Sequence, residues 1–377
     1  MSLLALVNAR VLAPAGLRDN LVVVLKDGHI RELRGSVPDG AEIRDLKGAM
    51  LLPGFVDVQV NGGGGRLFND DPSVETISCI AAAHRRFGTT SLLPTLISDD
   101  LSVVERGIRA VEDAIEAGVP GVLGIHIEGP FLSELRNGIH LVEKLRPLSD
   151  ELIELLTSAR LGRTMITLAP ECAAPAQIAR LVEAGVRVSL GHSDADYETA
   201  RAALEAGATG FTHLFNAMSQ LANRAPGMVG AALESESAFA GIIVDGKHLH
   251  PASVRIALRA IGPDRLMLVS DAMPTVGSDI DGFDLQGRRI HLRGDRLTDD
   301  GGTLAGSVLT MAQAIRCLVD QTGLSLPRAT GMATRVPANF LGLGDELGTI
   351  APGMRGDLIA VSDELAVSAC WIGGKPA

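Results

Sequence analysis

The sequence predicts a (β/α)₈ TIM barrel with a small β-sandwich domain formed from both termini. Apolar strand-like runs alternate with amphipathic helical stretches about eight times over roughly 285 residues, a repeat typical of this barrel. The two ends of the chain instead contain short strand-like pieces separated by Gly, Asp and Pro. Four strands of the repeating part also end in His, Asp or Glu. Barrel enzymes place their active-site residues at such strand ends.

The small domain is predicted from short strands at both termini. We place it at residues 1–53 and 343–377. The pair Asp27-Gly28 between two of these strands predicts a hairpin, because both residues tolerate the left-handed conformation of a tight turn. The predicted strands of this domain are 3–7, 21–25, 29–33, 41–45, 357–361 and 366–372.

The barrel is predicted at residues 54–342. Its expected strands are 55–60, 90–95, 122–128, 165–169, 187–192, 210–213, 241–245 and 266–271. Its expected helices are 74–86, 101–117, 150–158, 174–184, 195–206 and 252–261. A doubly wound open sheet is the structural alternative. It is disfavoured because the glycine run 61–65 has neither the phosphate-binding glycine spacing nor a following helix.

Composition limits the class of partner and the compartment. The net charge of -11 argues against nucleic acid or an anionic membrane surface as the main partner. Four scattered cysteines indicate reduced thiols rather than a disulfide framework. There is no basic leader of a secretory signal, and no run approaches the roughly 18 apolar residues of a membrane span. We therefore expect a soluble, cytoplasmic protein.

Three side chains of metal-ligand type lie at predicted strand ends, namely Glu128, His192 and His213. Singly, each has a structural explanation, as a solvated carboxylate or a hydrogen-bonded imidazole. Together they favour a metal site, because parallel barrel strands open at one mouth. A carboxylate and two imidazoles suit Zn²⁺ and leave a position for water.

Asp271 is the last residue of the last predicted barrel strand and differs in role from these ligands. A carboxylate beside a metal can accept the proton of a water that the metal has acidified. The structural alternative is a helix N-cap. Other candidates are weaker: Ser193 is not in a nucleophile-elbow motif, and no function is assigned to His29, His84 or His291.

The assembled motifs resemble the amidohydrolase superfamily and, within it, the N-acetylglucosamine-6-phosphate deacetylases. The resemblance runs essentially from end to end of the chain. Glu-Gly-Pro-Phe at 128–131 and His-Leu-Phe-Asn-Ala-Met at 213–218 are specific to these deacetylases. Pro-Gly-Phe-Val-Asp at 53–57 marks only the superfamily. The other matching segments are 88–90, 94–95, 126–127, 191–193, 270–272 and 304–307.

The resemblance implies one divalent metal per subunit, held by Glu128, His192 and His213. Many superfamily members carry His-x-His after the first strand, where this chain has Gln59 and Asn61. Amides are poor replacements for imidazole, so neither residue is expected to be a ligand. Zn²⁺ is the expected ion, and Fe²⁺ or another divalent ion is an alternative.

The resemblance also implies roles for substrate-binding residues. Asp271 becomes the general base and then the acid, and His140 polarises the acetamide carbonyl. His248, the segment at Asn216 and Ala217, and Arg224 hold the sugar phosphate. Arg224 is expected to come from the neighbouring subunit of a homodimer. Its local sequence alone indicates a solvated loop, and the loop around His140 departs from the family pattern.

The implied activity is removal of the acetyl group from N-acetylglucosamine 6-phosphate, which gives glucosamine 6-phosphate and acetate. One alternative is another amidohydrolase that acts on a different N-acetylated sugar phosphate, an N-acyl compound or a cyclic amide. Another is a sugar-phosphate sensor without catalysis. The sequence leaves the glucosamine and galactosamine epimers open, and also a role in cell-wall recycling or in chitin-sugar catabolism.

Overall fold

The computed structural model describes residues 3–377, so residues 1 and 2 of the predicted small domain lie outside the described part. Its centre is a sheet of eight parallel strands in sequential order, covered by helices. This arrangement confirms the predicted barrel. The strands are Phe55–Val60, Thr89–Ile97, Gly124–Glu128, Arg163–Leu168, Arg187–Leu190, Gly210–Phe211, Phe239–Ile242 and Leu266–Leu268.

The helices around the barrel include all six that the sequence predicts, with small changes at their ends. These are Val74–Arg85, Leu101–Glu116, Asp150–Leu156, Pro175–Glu183, Tyr197–Glu205 and Pro251–Ala260. Four further helices were not predicted: Gly227–Glu234, Met311–Thr322, Leu326–Met332 and Arg335–Phe340. Three short 3₁₀ turns lie at Glu134–Arg136, Val142–Lys144 and Pro170–Cys172. Within residues 3–377, no helix is long and apolar enough to cross a membrane.

The small domain consists of two packed sheets that contain strands from both termini. Buried residues of both sheets, such as Leu6, Val23, Leu51 and Trp371, share one apolar core, which is the sandwich that the sequence predicts. One sheet contains Leu4–Val7, Val22–Lys26, His29–Arg34 and Glu42–Asp45. The other contains Arg10–Ala13, Gly16–Arg18, Met50–Pro53, Leu358–Val361, Val367–Ile372 and Lys375–Pro376.

The predicted Asp27-Gly28 hairpin is present, with φ of 49° and 86° at its two turn residues. His29 begins the strand His29–Arg34, which agrees with the predicted strand 29–33, and His291 lies in the strand Arg288–Arg293. His84 is a buried packing residue whose Nε2 lies 2.9 Å from the Gly62 carbonyl oxygen. The four cysteines are free.

The barrel closes through a seam between its first and last strands rather than through a regular ladder. The backbone N–H of Asp271 donates to the Gln59 carbonyl at 3.0 Å, and that of Asn61 donates to the Ala272 carbonyl at 2.9 Å. The Ser270 N–H also donates to the Asp57 carboxylate at 3.3 Å. The first and last barrel strands are therefore joined at the mouth of the barrel.

A three-stranded antiparallel sheet, absent from the sequence prediction, is inserted between the last barrel strand and the helix Met311–Thr322. Its strands are Gly282–Leu285, Arg288–Arg293 and Arg296–Thr298. Gln286 and Gly287 form the first turn, with φ of 48° and 81°, as a tight hairpin requires. Buried residues of this inserted sheet pack against Ile97, Ile139 and Met273 beside the barrel mouth.

Candidate active site

The donor atoms of Glu128, His192 and His213 converge at the mouth of the barrel. Nε2 of His213 lies 3.0 Å from both Glu128 Oε1 and His192 Nε2. His192 Nε2 lies 3.3 Å from the same carboxylate oxygen. All three side chains are buried. The three strand ends singled out in the sequence are therefore brought together.

This donor set fits a divalent cation. His192 Nδ1 lies 2.8 Å from the Arg136 carbonyl oxygen, which can only accept, so Nδ1 carries the ring proton and Nε2 presents a lone pair. Ligands about 2.0–2.1 Å from a tetrahedral Zn²⁺ lie about 3.3 Å apart. The observed separations of 3.0–3.3 Å match that spacing.

A second possible donor group replaces His213 with His140. Suitable atoms of Glu128, His140 and His192 all lie within 4.8 Å of one another. The contacts of His140 disfavour it as a ligand. Its Nδ1 accepts a hydrogen bond from the Ser98 backbone N–H at 3.2 Å and lies 2.8 Å from the Ser98 hydroxyl. In the neutral ring the proton is then on Nε2, which has no lone pair to offer.

Burial holds the pKa of His140 well below its ordinary value, and the nearby His192 acts in the same direction. The ring is therefore neutral, with Nδ1 as an acceptor and Nε2–H as a donor. His140 also lines the same cavity as Glu128 and Asp271. It can donate one hydrogen bond into that cavity.

Two amides hold the carboxylates of the site. Gln59 Nε2 donates to Glu128 Oε2 at 3.0 Å and to Asp271 Oδ1 at 3.2 Å. Asn61 Nδ2 donates to the same oxygen of Asp271 at 2.7 Å. Burial, together with the Glu128 carboxylate, raises the pKa of Asp271 to about 6. A carboxyl group with that pKa can both accept and return a proton near neutral pH.

The remaining predicted residues divide into two groups. His248, Asn216 and Ala217 line the cavity, which has a volume of about 250 Å³. His248 Nδ1 lies 2.7 Å from Asp245 Oδ2. Burial raises the pKa of Asp245, but its interactions with the His248 side chain and with the backbone N–H groups of His248 and Lys247 together outweigh burial and hold that pKa below its ordinary value. Arg224 is exposed and does not line the cavity of its own chain.

Several of these residues have strained backbones. His192, His213 and Asp271 have φ of 48°, 32° and 51°, in the left-handed region that non-glycine residues seldom adopt. Such residues cost about 1–3 kcal/mol each and persist where surrounding contacts impose them. The regular strands end at Leu190, Phe211 and Leu268, two or three residues before these positions.

The sequence interpretation missed several residues around this site. The apolar wall of the cavity contains Ile97, Ile139, Ile243, Met273 and Leu304. Only the segment 304–307 gave a signal, as a matching motif without a role. Ser98 follows a predicted strand by three residues, and nothing in its local sequence marks its contact with His140.

Comparison with known proteins agrees with this geometry. A model of the amidohydrolase family matches residues 50–377. The chain is 45% identical to the N-acetylgalactosamine-6-phosphate deacetylase of Shewanella sp. (strain ANA-3), over 98% of this chain and 94% of that one. It is 34% identical to the N-acetylglucosamine-6-phosphate deacetylase of Haemophilus influenzae, over 95% of each chain.

Solved structures share the fold over its whole length. The N-acetylglucosamine-6-phosphate deacetylase of Pasteurella multocida superposes with a TM-score of 0.96 at 34% identity, covering 100% of this chain and 99% of that one. A mutant of the Mycobacterium smegmatis deacetylase, solved in complex with N-acetyl-D-glucosamine-6-phosphate, superposes with a TM-score of 0.92 at 34% identity and the same coverage.

Proposed function

The chain belongs to the amidohydrolase family, and from that premise we propose that it hydrolyses the acetamide of an N-acetylhexosamine 6-phosphate to an amino-sugar phosphate and acetate. The observation that carries the proposal is the convergence of Glu128, His192 and His213 at 3.0–3.3 Å. Asp271 lines the same cavity. The substrate class follows from the activities named for the relatives.

Glu128, His192 and His213 would hold one divalent cation per subunit, with Zn²⁺ as the expected ion and Fe²⁺ as an alternative. A cation held there would act as a Lewis acid and lower the pKa of water. Gln59 is not a ligand in this proposal, because its amide nitrogen donates to Glu128 and Asp271. It bridges the two carboxylates and fixes their orientations.

Asp271 and His140 perform the proton chemistry and carbonyl activation. Asp271 accepts the proton of the attacking water and returns it to the nitrogen as the carbon–nitrogen bond breaks. His140 donates its Nε2–H to the acetamide oxygen as negative charge develops there. The amides of Gln59 and Asn61 both donate to Oδ1 of Asp271, which leaves Oδ2 for the proton.

We propose that residues of two subunits bind the phosphate of one substrate molecule. His248, oriented by Asp245, and the segment at Asn216 and Ala217 belong to the chain that forms the cavity. Arg224 lies outside that cavity and is exposed. The same segment presents Leu221, which is 56% exposed. We propose that this segment contacts a second subunit, so that Arg224 reaches the phosphate of the partner's site.

Mixing two inactive variants tests the shared site. Asp271→Asn removes the base, and Arg224→Ala removes the phosphate contact, so each homodimer should be nearly inactive. A heterodimer should regain one complete site, in which an intact Asp271 meets the Arg224 of the other chain. We expect acetate release to rise after the two variants are unfolded and refolded together. No rise, with heterodimers verified by differential tags, would place Arg224 in its own subunit's site.

The epimer at C4 separates two candidate substrates. The sequence resemblance and the Haemophilus influenzae relative, which is 34% identical, favour N-acetylglucosamine 6-phosphate. The Shewanella relative, which is 45% identical, favours N-acetylgalactosamine 6-phosphate. The cavity wall contributed by Ile97, Ile243 and Met273 is apolar. Apolar walls discriminate weakly against a displaced hydroxyl, by about 10²-fold or less. We therefore propose that both epimers are substrates.

Acetate release from both phosphorylated epimers and from their phosphate-free forms tests this function. We expect turnover only of the phosphorylated sugars, with kcat/KM values within about 10²-fold of each other. Chelation should abolish turnover and added Zn²⁺ should restore it. A ratio above about 10⁴ between the kcat/KM values of the two epimers would indicate that a polar group hydrogen-bonds to the hydroxyl at C4. Equal turnover of phosphate-free sugars would redirect the assignment to another amide substrate, and binding without turnover would indicate a sensor.

A further inference from the structure

The orientation of His140 depends on two segments that are distant in sequence. Its Nδ1 is held by the backbone N–H and the hydroxyl of Ser98. Its own backbone follows Ile139, whose side chain lines the cavity. A displacement of either segment would turn the imidazole or shift its Nε2. The contacts that hold Ser98 and Ile139 therefore decide where the His140 proton points.

Both segments are held by the inserted three-stranded sheet. Gln286 Nε2 donates to the Ser98 carbonyl oxygen at 2.8 Å and to Asp99 Oδ2 at 3.0 Å. Arg288 Nη2 donates to the carbonyl oxygen of Ile139. Gln286 forms the hairpin turn, and Arg288 begins the strand that follows. These two side chains thus contact the chain on both sides of the imidazole.

The apolar side of the insertion supports the same region. Phe283, Leu285 and Ile290 are buried and share a cluster with Ile97 and Ile139. This packing places the hairpin turn against the 97–99 and 139–140 segments. Arg289, by contrast, is exposed, and its nearest acidic partner, Asp281, lies 3.5 Å away, directly before the first strand of the inserted sheet. Adjacent arginines of one strand therefore have different surroundings.

We propose that Gln286 and Arg288 are positioning residues for His140, which keep its Nε2–H directed at the acetamide carbonyl of the substrate. This inference rests on the proposed deacetylase function, in which that hydrogen bond strengthens in the transition state. Neither residue lines the cavity, so neither is expected to contact substrate. The insertion then serves the reaction through the imidazole.

Kinetics of a Gln286→Met/Arg288→Met variant test the proposal. We expect kcat to fall about 10- to 100-fold, a part of the 10²- to 10³-fold effect of losing one such donor. KM should change by less than about threefold, because phosphate binding uses other residues. Arg289→Met is the matched control and should retain wild-type values. Replacing Arg288 with Lys rather than Met should give a higher kcat than the Met variant, since an ammonium group can still donate to a carbonyl.

A double-mutant cycle separates positioning from general destabilisation. In a His140→Ala background the Gln286→Met/Arg288→Met pair should lower kcat by less than about twofold, because the group it positions is absent. An equal loss in both backgrounds would overturn the proposal. A raised KM with unchanged kcat would also overturn it, since the hairpin would then contact substrate directly.

The nitrogen NMR signals of the histidine rings give a readout that does not need activity. The signals of the His140 ring are assigned as those that are absent from the spectrum of His140→Ala. In the wild type, these signals should show the Nε2–H tautomer. In the Gln286→Met/Arg288→Met variant these signals should move towards a tautomer mixture. If they move while the wild type fails to release acetate, the deacetylase proposal is wrong and the positioning stands. If they stay unchanged, the positioning proposal is wrong whatever the activity.

Discussion

Replacing Asp271 with Asn is expected to lower kcat by about 10²- to 10⁴-fold, the range that general acid–base catalysis contributes. Asn keeps an oxygen that can accept from Gln59 and Asn61, which donate to Asp271 Oδ1 at 3.2 and 2.7 Å. The polypeptide around it should therefore keep its geometry. In the proposed mechanism, what is lost is the basic oxygen that accepts the proton of water and returns it to the amine.

The measurement is kcat on both phosphorylated epimers, together with metal content by mass spectrometry and the thermal unfolding midpoint. Asp281→Asn is the matched control, because that side chain is 95% exposed. Metal content and unfolding should stay at wild-type values in both variants. Full activity in Asp271→Asn would remove Asp271 from the proton transfer and leave the base unassigned.

Metal content should fall sharply when any one of Glu128, His192 and His213 is replaced by Ala, and activity should be lost with it. Each side chain supplies one of three donor atoms that lie 3.0–3.3 Å apart. Removing one leaves two protein ligands, too few for a stable catalytic site. His140→Ala should behave differently: it should retain one metal per subunit while kcat falls about 10²- to 10³-fold.

That difference decides between the two possible donor groups, because Glu128, His140 and His192 are also close enough to share an ion. Metal stoichiometry of purified variants after dialysis against a weak chelator is the measurement, with the exposed Glu134→Ala as control. Loss of metal in His140→Ala but not in His213→Ala would contradict the assignment. It would also require the proton of His140 to move from Nε2 to Nδ1.

The strand ends of the barrel could be predicted because their signal is local. Each apolar run stops at a residue that a buried strand would not otherwise contain, as at Glu128 and His213. Topology then places such ends at one mouth. The backbone conformation of these residues could not be predicted, since the left-handed φ of His192 and Asp271 depends on contacts from other strands.

The inserted sheet could not be predicted for a different reason. Its strand Arg288–Arg293 contains three arginines and a histidine among two apolar residues, which is a weak alternation. Its contacts join Gln286 to Ser98 and Arg288 to Ile139, 188 and 149 residues away. The sequence analysis also excluded Gln59 and Asn61 as metal ligands, but it did not predict that their amides hydrogen-bond to a carboxylate of the site. Only the structure brings both amides to Asp271.

The seam that closes the barrel has a consequence for the order in which the chain can become active during synthesis. Gln59 and Asn61 leave the ribosome about two hundred residues before their partners Asp271 and Ala272. Ser307 completes the junction, because its N–H donates to the Asp271 carbonyl oxygen at 2.8 Å. A nascent chain that has already placed Glu128, His192 and His213 still lacks Asp271, the proposed base, in its fixed position. On that proposal, catalytic competence would arrive only when the two ends of the barrel meet.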